Sequence, residues 1–347
     1  MFDLYSGNTP SRLNKEHFKG TVNWISSGEL KEHYIYSSKE QISEEAAKSL
    51  KLLPVGTFVI AIYGLEAEGV RGTGSITQEP STISQACMSF IPKGVIENEF
   101  LYSWYKKHGN VIGIRYAQGT KQQNLSYDIL EKFRIAYPNT KEQEKLNKFI
   151  SLLDERIATQ SKIIDKLQTL IKGIAHKVSK QGKPNIRLSE CLLCTSSTLQ
   201  ESDVAEVGAY PVYGANGIVG YLDTYNTTSE AIYIIKDGSG VGAVSCVKGK
   251  CSATGTLNIL QTKEGFSLRY LYFILKVFSF EPYKTGMAIP HIYFKDYGKA
   301  KIYCPSNQLQ CKYADLLSKI EQKATAEQKI LDNLCSQKQY LLCQMFI

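Results

Sequence analysis

The most regular pattern of hydrophobic positions in this sequence runs between residues 140 and 179. Apolar residues recur there in alternating steps of four and three, and Gln160 is the one polar member of the series. A repeat of 3.5 residues sustained over several heptads is typical of a helix that packs along a seam against another helix. The pattern predicts a helix of roughly 60 Å at 1.5 Å per residue. Its seam consists of Leu146, Ile150, Leu153, Ile157, Ile164, Leu167, Ile171, Ile174 and Val178.

A second and weaker pattern of the same period occupies the end of the sequence. Its polar member is Glu327, which lies 167 positions after Gln160, and Lys338 is a further break. One polar residue in the middle of each helix predicts an antiparallel coiled coil with Gln160 and Glu327 in a shared polar layer. The alternative is an ordinary amphipathic helix that packs only on its own domain. The second seam consists of Leu317, Ile320, Ala324, Leu331, Leu334, Leu341 and Met345.

The interval of 167 residues belongs to a longer internal repeat, in which residues 119–179 align without a gap on 286–346. Before each helix the pattern predicts a short strand that ends at a proline, at 133–137 and at 300–304. Further upstream, each copy has strand-like runs between glycine turns and then an aromatic helix. The sequence therefore predicts an α+β fold with two pseudo-symmetric globular domains, each followed by a long helix. The predicted segments are 1–138, 139–183, 184–305 and 306–347.

The two globular segments differ at their starts. The second opens with a strand-like lead-in at 184–190, whereas the first begins almost directly at Leu4, with nothing equivalent before it. We therefore expect either that the sequence starts late or that the first domain lacks an edge strand.

Composition changes this picture little. The formal net charge is +8, but most of the excess lies in residues 139–183, so charge alone does not make the globular segments nucleic-acid binders.

No signal peptide or membrane-spanning run is recognisable, and we expect a cytoplasmic protein. Nine irregularly spaced cysteines favour reduced thiols over a disulfide framework, and a zinc site that combines Cys191 and Cys194 with Cys246 and Cys251 is the less favoured alternative.

The motifs of common enzymes are missing from the sequence. There is no phosphate-binding loop, and the glycine-rich run 238–242 fits a hairpin turn better than a dinucleotide site. The amino-methyltransferase motif is absent, and five scattered histidines suggest no metal site. We therefore expect no catalytic residues and no metal, and interpret the chain as a binding protein.

Two stretches carry a resemblance to a known family. Gly119-Thr-Lys-Gln-Gln-Asn-Leu125, followed by Pro138 and Lys141-Glu-Gln-Glu-Lys145, resembles the specificity (S) subunits of type I restriction-modification systems. The run from Tyr210 to Tyr221 is similar to the opening of one of their target-recognition domains. The resemblance spans the whole chain as two target-recognition domains, each with a spacer helix.

The resemblance implies a subunit that is not an enzyme on its own. It would hold two methyltransferase (M) subunits that methylate adenine N6 and would join restriction (R) motor-nuclease subunits in one complex. S-adenosylmethionine, ATP and Mg²⁺ would be used by those partners, and no cofactor would be bound by this chain.

Double-stranded DNA would then be read by side chains in glycine-rich loops. Amides pair with adenine and guanidinium or ammonium groups with guanine in the major groove. The candidates in the first domain are Arg71, Arg115, Gln118, Lys121, Gln122 and Gln123, and those in the second are Tyr213, Asn216, Lys236, Ser239, Lys284 and His291.

Two domains joined by rigid helices predict a split DNA site with a fixed spacer. Sites on one face of DNA recur every ~34–36 Å, about one helical turn. We expect four residues inserted after Gln160 to change the spacer and leave both half-sites unchanged. The basic stretch from Lys172 to Lys183 either contacts DNA between the half-sites or is a solvated helix end.

Two other functions remain open on the sequence. The first is a non-catalytic coiled-coil scaffold with two β-rich domains that bind a ligand or carbohydrate. It would show no duplex affinity that falls steeply with salt. The second is a fragment of a larger single-chain restriction-methylation enzyme.

Overall fold

The computed structural model describes residues 1–67 and 69–346. The chain forms two compact units, unit 1 with Met1–Ala158 and Leu331–Ile347, and unit 2 with Thr159–Ile330. Each unit contains a globular part and a stretch of both long helices, α4 (Thr140–Ser179) and α8 (Asn307–Met345). The four segment boundaries predicted from the sequence stay a prediction.

Unit 1 is built on two small sheets. The larger has the strand order β1-β8-β5-β6-β3 and the smaller β4-β2-β7. The elements are β1 (Phe2–Ser6), β2 (Val22–Ile25), β3 (Tyr34–Ile35), β4 (Glu40–Ile42), α1 (Glu44–Lys48), β5 (Phe58–Ala61), β6 (Gly74–Thr77), β7 (Ser81–Ile83), β8 (Cys87–Pro92), α2 (Asn98–Tyr116) and α3 (Tyr127–Leu130).

Unit 2 repeats this plan with three sheets, in the orders β10-β16-β13-β14, β12-β11-β15 and β17-β9. Its elements are β9 (Ile186–Arg187), α5 (Leu188–Cys191), β10 (Leu192–Ser196), β11 (Tyr210–Gly214), β12 (Gly217–Leu222), β13 (Ala231–Ile235), β14 (Val244–Val247), β15 (Ser252–Ala253), β16 (Leu257–Thr262), α6 (Leu268–Val277), α7 (Phe294–Tyr297) and β17 (Lys301–Ile302).

An inner strand of each larger sheet is buried on both faces. All four residues of β5 are buried, and so are Ala231 to Ile234 of β13. A strand that is covered on both faces reads as a continuous apolar run, which is why glycine-flanked apolar runs identified both strands in the sequence. The aromatic helices α2 and α6 cover one face of these sheets and supply much of each core.

The two long helices run antiparallel within each unit. In unit 2, Gln160 contacts Glu327, and just beyond the end of α4 Gln181 accepts at Oε1 from the Tyr313 hydroxyl of α8 at 2.7 Å. In unit 1, Lys338 forms an ion pair with Asp154. The predicted seams are buried at Ile150, Ile164, Ile171, Val178, Leu317 and Leu334. The predicted α+β fold with paired antiparallel helices is confirmed.

An identical glutamine anchors the start of each long helix. Gln143 donates from Nε2 to Val95 O at 2.8 Å and Pro138 O at 2.9 Å, and its Oε1 accepts from Glu97 N. Gln310 donates to Pro305 O at 2.9 Å and accepts from Ser267 N at 3.0 Å. Each glutamine therefore ties its long helix to the start of an aromatic helix.

The strand predicted at 133–137 is wrong. In unit 2, the equivalent β17 pairs with β9 through Ile302 and Ile186. In unit 1, residues 133–137 have no strand structure in the described part of the chain. A strand needs a partner with which to exchange backbone hydrogen bonds, and among the described residues no counterpart of β9 lies beside 133–137.

Among the described residues of unit 1, the lead-in strand β9 has no counterpart, but the larger sheet does have an edge strand after that position. Phe2–Ser6 forms β1 and pairs with β8, from Phe2 opposite Pro92 to Ser6 opposite Met88. It corresponds to β10, which pairs with β16 in the same way. Among the described helices, none is long and apolar enough to cross a membrane.

Candidate nucleic-acid interface

Two loops meet at one end of the larger sheet in unit 1. The first, residues 62–67 and 69–73, lies between β5 and β6, and the second, residues 118–124, lies between α2 and α3. The Leu65 amide donates to Gln123 O at 3.1 Å, and the Leu125 amide donates to Ile62 O at 2.9 Å. Backbone bonds therefore hold the second loop against the first.

The second loop is closed by a pair of backbone hydrogen bonds. Gln118 N donates to Asn124 O at 2.8 Å, and Asn124 N donates to Gln118 O at 2.9 Å. Gly119 has φ of +106°, and a Cβ there would lie 2.1 Å from Gln122 O, so only glycine fits. Between these bonds, Lys121 and Gln122 are exposed to solvent.

Arg71 and Gln123 contact each other across the two loops. Arg71 donates from a terminal nitrogen to Gln123 Oε1 at 3.3 Å, and its stem packs on Gly113 of α2, where a Cβ would lie 2.5 Å from Arg71 Cγ. The Nε of Arg71 is buried without a hydrogen-bond partner. The guanidinium is thus held in place and retains donors for a further acceptor.

The equivalent loops of unit 2 are 236–243, between β13 and β14, and 285–291, before α7. Thr285 N donates to His291 O at 2.9 Å, and His291 N donates to Thr285 O at 2.7 Å. Gly286 has φ of +88° and a Cβ there would lie 2.3 Å from Ile289 O. The loop therefore has the same closure and the same glycine constraint as 118–124.

The two loops of unit 2 also hold each other. Gly238 N donates to Pro290 O at 3.0 Å, Ile292 N donates to Lys236 O at 2.9 Å, and His291 Nδ1 lies 2.7 Å from Asp237 Oδ1. Among the predicted site residues, Lys236, Ser239 and His291 are therefore brought together. Lys284 lies just before the second loop and pairs with Glu281.

The remaining candidates lie elsewhere. Arg115 is exposed in the last turn of α2, three residues before Gln118. Tyr213 is on β11, where its ring packs edge-on against Tyr233, and Asn216 is exposed in the turn between β11 and β12. Direct base contacts by any of the twelve candidates stay a prediction.

Sequence reasoning missed the acidic partners in these loops. Glu66 Oε2 accepts from Gln123 N at 2.8 Å, and this hydrogen bond holds the pKa of the Glu66 carboxyl below its usual range. Asp237 contacts His291, with its Oδ1 2.7 Å from His291 Nδ1. Sequence reasoning also missed Met287 and Ile289, which are exposed on the second loop of unit 2. Met287 and Ile289 could have been found from the internal repeat, because it aligns residues 286–290 with the candidate loop residues 119–123.

Away from the loops, the structure brings Gln160 and Glu327 together. Gln160 is 9% exposed, and its Nε2 donates to Glu327 O at 3.1 Å and to the Glu327 carboxylate. Hydrogen bonds from Gln160 and then Lys323 lower the pKa of the Glu327 carboxyl. This polar pair interrupts the apolar seam in unit 2.

The described residues contain no group of three or more His, Cys, Asp or Glu side chains placed to hold a metal ion. All nine cysteines are free thiols, and burial raises the pKa of Cys191 and Cys246 to about 12. Such thiols stay protonated, so they are poor nucleophiles and poor metal ligands.

The family model for the type I restriction modification DNA specificity domain matches residues 1–169 and 191–335. The MjaIX specificity subunit of Methanocaldococcus jannaschii is 29% identical over 48% of this chain and 39% of its own length. The EcoR124I/EcoR124II specificity subunit of Escherichia coli is 28% identical over 51% of this chain and 41% of its own length. These two alignments thus span about two-fifths of each relative.

Two further comparisons cover nearly the whole chain. The EcoprrI specificity subunit of Escherichia coli is 21% identical over 92% of this chain and 86% of its own length. The crystal structure of a type I restriction-modification S subunit from M. genitalium superposes with a TM-score of 0.66 at 20% identity, over 100% of this chain and 94% of that one. With two matched copies of the domain, this chain belongs to the family of type I restriction-modification specificity subunits.

Proposed function

We propose that this chain reads a split DNA sequence, with one half-site recognised by each unit. The observation that carries the proposal is the repeated pair of loops, closed by the same backbone bonds at 118–124 and 285–291 but filled with different side chains. Two units that read different half-sites need loops with the same backbone structure and different side chains. Contacts to the DNA backbone position the protein on the duplex, and contacts to the bases determine which sequence is bound.

In unit 1, the proposed readers are amides and cations. Gln122 is exposed for a bidentate contact to adenine, and Arg71, which donates from one terminal nitrogen to Gln123, would offer its remaining terminal donors to a guanine or a phosphate. Glu66 positions the loop by accepting from the Gln123 amide.

In unit 2, the proposed readers combine polar and apolar contacts. Lys236, Ser239 and His291 supply polar atoms, and the exposed Met287 and Ile289 supply apolar surface. Apolar side chains contact the thymine methyl group in the major groove or wedge between base steps in the minor groove.

We also propose that the chain works within a larger complex. Two methyltransferase subunits would dock on it and methylate adenine N6, and restriction subunits would complete the motor-nuclease assembly in the cytoplasm. S-adenosylmethionine, ATP and Mg²⁺ would be bound by those partners, and this chain would contribute recognition without catalysis. The family assignment and the family names of its relatives support this proposal.

The decisive experiment maps N6-methyladenine across the host genome by long-read sequencing, with and without this gene. We expect the loss of a single split motif when the gene is deleted. A methylation map that does not change, in a host where the partner subunits are expressed, contradicts the proposal.

Variants then assign the half-sites. Gln122→Ala with Gln123→Ala in unit 1 should relax specificity in one half-site only, and His291→Ala in unit 2 should relax the other. Each lost base contact should cost ~1–3 kcal/mol of discrimination. The control is Lys48→Ala, at the end of α1 and away from both loops, which should leave the motif intact. A variant that weakens all sequences alike identifies a phosphate contact instead.

Salt dependence separates this proposal from a scaffold that binds another ligand. For the purified chain on duplex DNA, we expect log K to fall linearly with log salt, by ~0.9 for each phosphate contacted. No measurable duplex binding at low salt, with or without methyltransferase subunits, would favour the scaffold.

A further inference from the structure

Unit 2 contains a groove of about 370 Å³ between the end of α4, the end of α6 and β17. Its floor is largely apolar and aromatic, and serine and tyrosine hydroxyls contribute its neutral polar groups. Its charged lining consists of His176, Lys180 and Lys301, and none of the described residues that line it is Asp or Glu. We call this site the basic groove.

The positive charge extends beyond the lining of the basic groove. Residues 172–187 contain five lysine or arginine side chains and no Asp or Glu. Lys180, Lys183 and Arg187 are exposed, and none of the described residues forms an ion pair with any of them. The end of α4 and the segment that follows it therefore carry an unneutralised excess of cations.

The two carboxylates nearest to the basic groove in sequence already have partners. Glu190 accepts at Oε2 from the Arg187 backbone amide at 2.6 Å, and Glu281 forms an ion pair with Lys284. Neither of them forms an ion pair with Lys180 or with the side chain of Arg187. The protein thus leaves the cations of the groove to an anion from outside.

Two of these cations face each other across a pair of strands. Lys301 of β17 lies directly opposite Arg187 of β9, and both side chains are exposed, whereas the neighbouring pair of Ile302 and Ile186 is turned inward. Like charges directly opposite each other destabilise a strand pair. The stability of the fold therefore does not account for this pair, whereas an anionic ligand does.

A solvated helix end explains only part of the cluster. The C-terminus of a helix carries about −0.5 of an elementary charge, so cations in its last turn are favourable. This effect accounts for His176, Lys177 and the adjacent Lys180. It does not account for Arg187 and Lys301, because both lie on strands.

The turn that follows α4, residues 180–184, is held firmly in place. At Gln181, Oε1 accepts from the Tyr313 hydroxyl at 2.7 Å. Just after the turn, the Asn185 side chain donates to Cys304 O and accepts from Cys304 N, both at 2.8 Å. The two lysines of this turn are thus presented from a fixed backbone, which reduces the entropy lost when they bind a ligand.

The chain enters and leaves the proposed reading loop of unit 2 at the basic groove. Tyr283 lines the groove, and the loop 285–291 begins two residues later. After this loop and α7, the chain returns to the groove at Lys301 of β17. A duplex bound at the loop carries one negative charge per ~1.7 Å of its axis, which matches the charge that the groove lacks.

We propose that the basic groove binds the phosphate backbone of DNA beside the half-site that unit 2 reads. Lys180 and Lys301 contact phosphates from the groove, and Lys183 and Arg187 do so from its rim. The inference rests on the proposed function as a DNA reader and adds a contact that positions the duplex without reading its sequence.

The test is duplex binding by Lys180→Gln combined with Lys301→Gln, in the full chain alone and with methyltransferase subunits. The probes are a labelled duplex that contains the motif from methylation mapping and one of equal length with both half-sites scrambled. Fluorescence anisotropy over a range of salt concentrations gives the affinities. We expect a loss of at least tenfold on both duplexes at 0.1 M salt, and a slope of log K against log salt that is shallower by about 1.8, or ~0.9 for each phosphate.

The matched control is Lys162→Gln combined with Lys166→Gln, which removes the same charge from exposed positions of the same helix. Lys166 lies about 21 Å along the helix from Lys180 at 1.5 Å per residue. We expect the control to change the affinity less than twofold. Lys180→Arg combined with Lys301→Arg keeps the charge and should retain the parent affinity and slope.

Lys301→Glu separates binding from stability. It places opposite charges across the strand pair with Arg187, so the midpoint of urea denaturation should rise or stay unchanged while DNA affinity falls. A fall in both would show that Lys301 acts through the fold, and this would contradict the proposal.

Other results would also overturn the proposal. If the parent binds DNA and the Gln variants of the groove and of the control behave alike, the groove makes no phosphate contact, although the chain still reads DNA. If the groove variant keeps its DNA affinity but binds methyltransferase subunits more weakly, an acidic protein surface is the ligand. No duplex binding by the parent, alone or with its partners, contradicts both this inference and the proposed function.

Discussion

At the residue scale, Gln143 and Gln310 show how one side chain can set the position of a whole helix. Each is almost completely buried and satisfies backbone groups from two directions, the proline turn before its helix and the start of an aromatic helix. Removing such a side chain leaves several buried backbone groups without partners, which costs more than the loss of the hydrogen bonds alone.

We therefore expect Gln310→Leu to lower the free energy of unfolding by about 1–3 kcal/mol. The matched control is Gln308→Leu, two residues earlier on the exposed side of the same helix, which should change it by less than ~0.5 kcal/mol. Urea denaturation followed by circular dichroism measures both. Equal effects of the two variants would show that the Gln310 bonds contribute little.

Glu327 gives a prediction about pH. Its lowered pKa means that its ion contributes stability above the ordinary pKa of a glutamate, and that this contribution is lost as the pH falls through the lowered value. Gln160→Met removes the first hydrogen bond to the carboxylate, so the pKa of Glu327 should rise while Lys323 still acts on it.

A carboxyl NMR titration of Glu327 tests this shift. In Gln160→Met, the stability lost relative to the parent should be smaller at low pH, where the carboxyl is protonated in both proteins. Gln168→Met, at an exposed position of the same helix, serves as the control and should leave the titration unchanged.

Single residues also show where sequence reasoning reaches its limit. Gln160 and Glu327 were predictable because both interrupt a seam and share one repeat interval. The role of Lys338 was not predictable. Its ion pair with Asp154 depends on the axial offset between α4 and α8, and the hydrophobic pattern of a single helix does not give that offset. Glu66 and Asp237 were missed since their partners are backbone and side-chain atoms in loops distant in sequence.

At the scale of elements, α8 has a buried leucine of its seam directly next to an exposed leucine. Leu317 is 1% exposed, whereas its neighbour Leu316 is 48% exposed. A 3.5-residue repeat creates this contrast, because consecutive positions on a helix point about 100° apart.

We expect Leu317→Ala to destabilise the protein by about 2–5 kcal/mol through the cavity that it leaves in the core of unit 2. Leu316→Ala should stay within ~0.5 kcal/mol of the parent, since its side chain is already half in water. The free energy of unfolding from urea titrations decides between them. Similar losses in both variants would mean that the helix packs with a different face than the seam indicates.

Helices were easier to predict than strands for a physical reason. A helix forms its hydrogen bonds within one segment, so the pattern of that segment largely defines it. The segment 133–137 has the composition of a strand, but none of the described residues pairs with it, whereas β17 pairs with β9. Pairing is a property of two segments, and one segment's pattern cannot supply it.

At the scale of the whole molecule, α4 and α8 each run through both compact units without interruption. The proposed split site therefore makes a prediction about helix length. Four residues inserted after Gln160, with four more inserted before Glu327, keep these two side chains opposite each other. The insertions lengthen each helix by about 6 Å, and they rotate the residues after each insertion by about 40° relative to the residues before it.

Methylation mapping in a host that carries this paired insertion should show both half-sites unchanged and a different spacer between them. The control is the parent chain in the same host. A spacer that stays the same would contradict the view that the helices set the separation, while a lost half-site would point to damage in one unit.

The closure of the loops at 118–124 and 285–291 has a consequence for how this protein can change over time. The bonds that fix each loop join backbone atoms, and one glycine in each satisfies the steric constraint. The exposed side chains between these bonds therefore contribute little to the stability of the fold. Mutations at these few positions can accumulate at little thermodynamic cost, so each half of the chain can drift toward new binding preferences independently of the other.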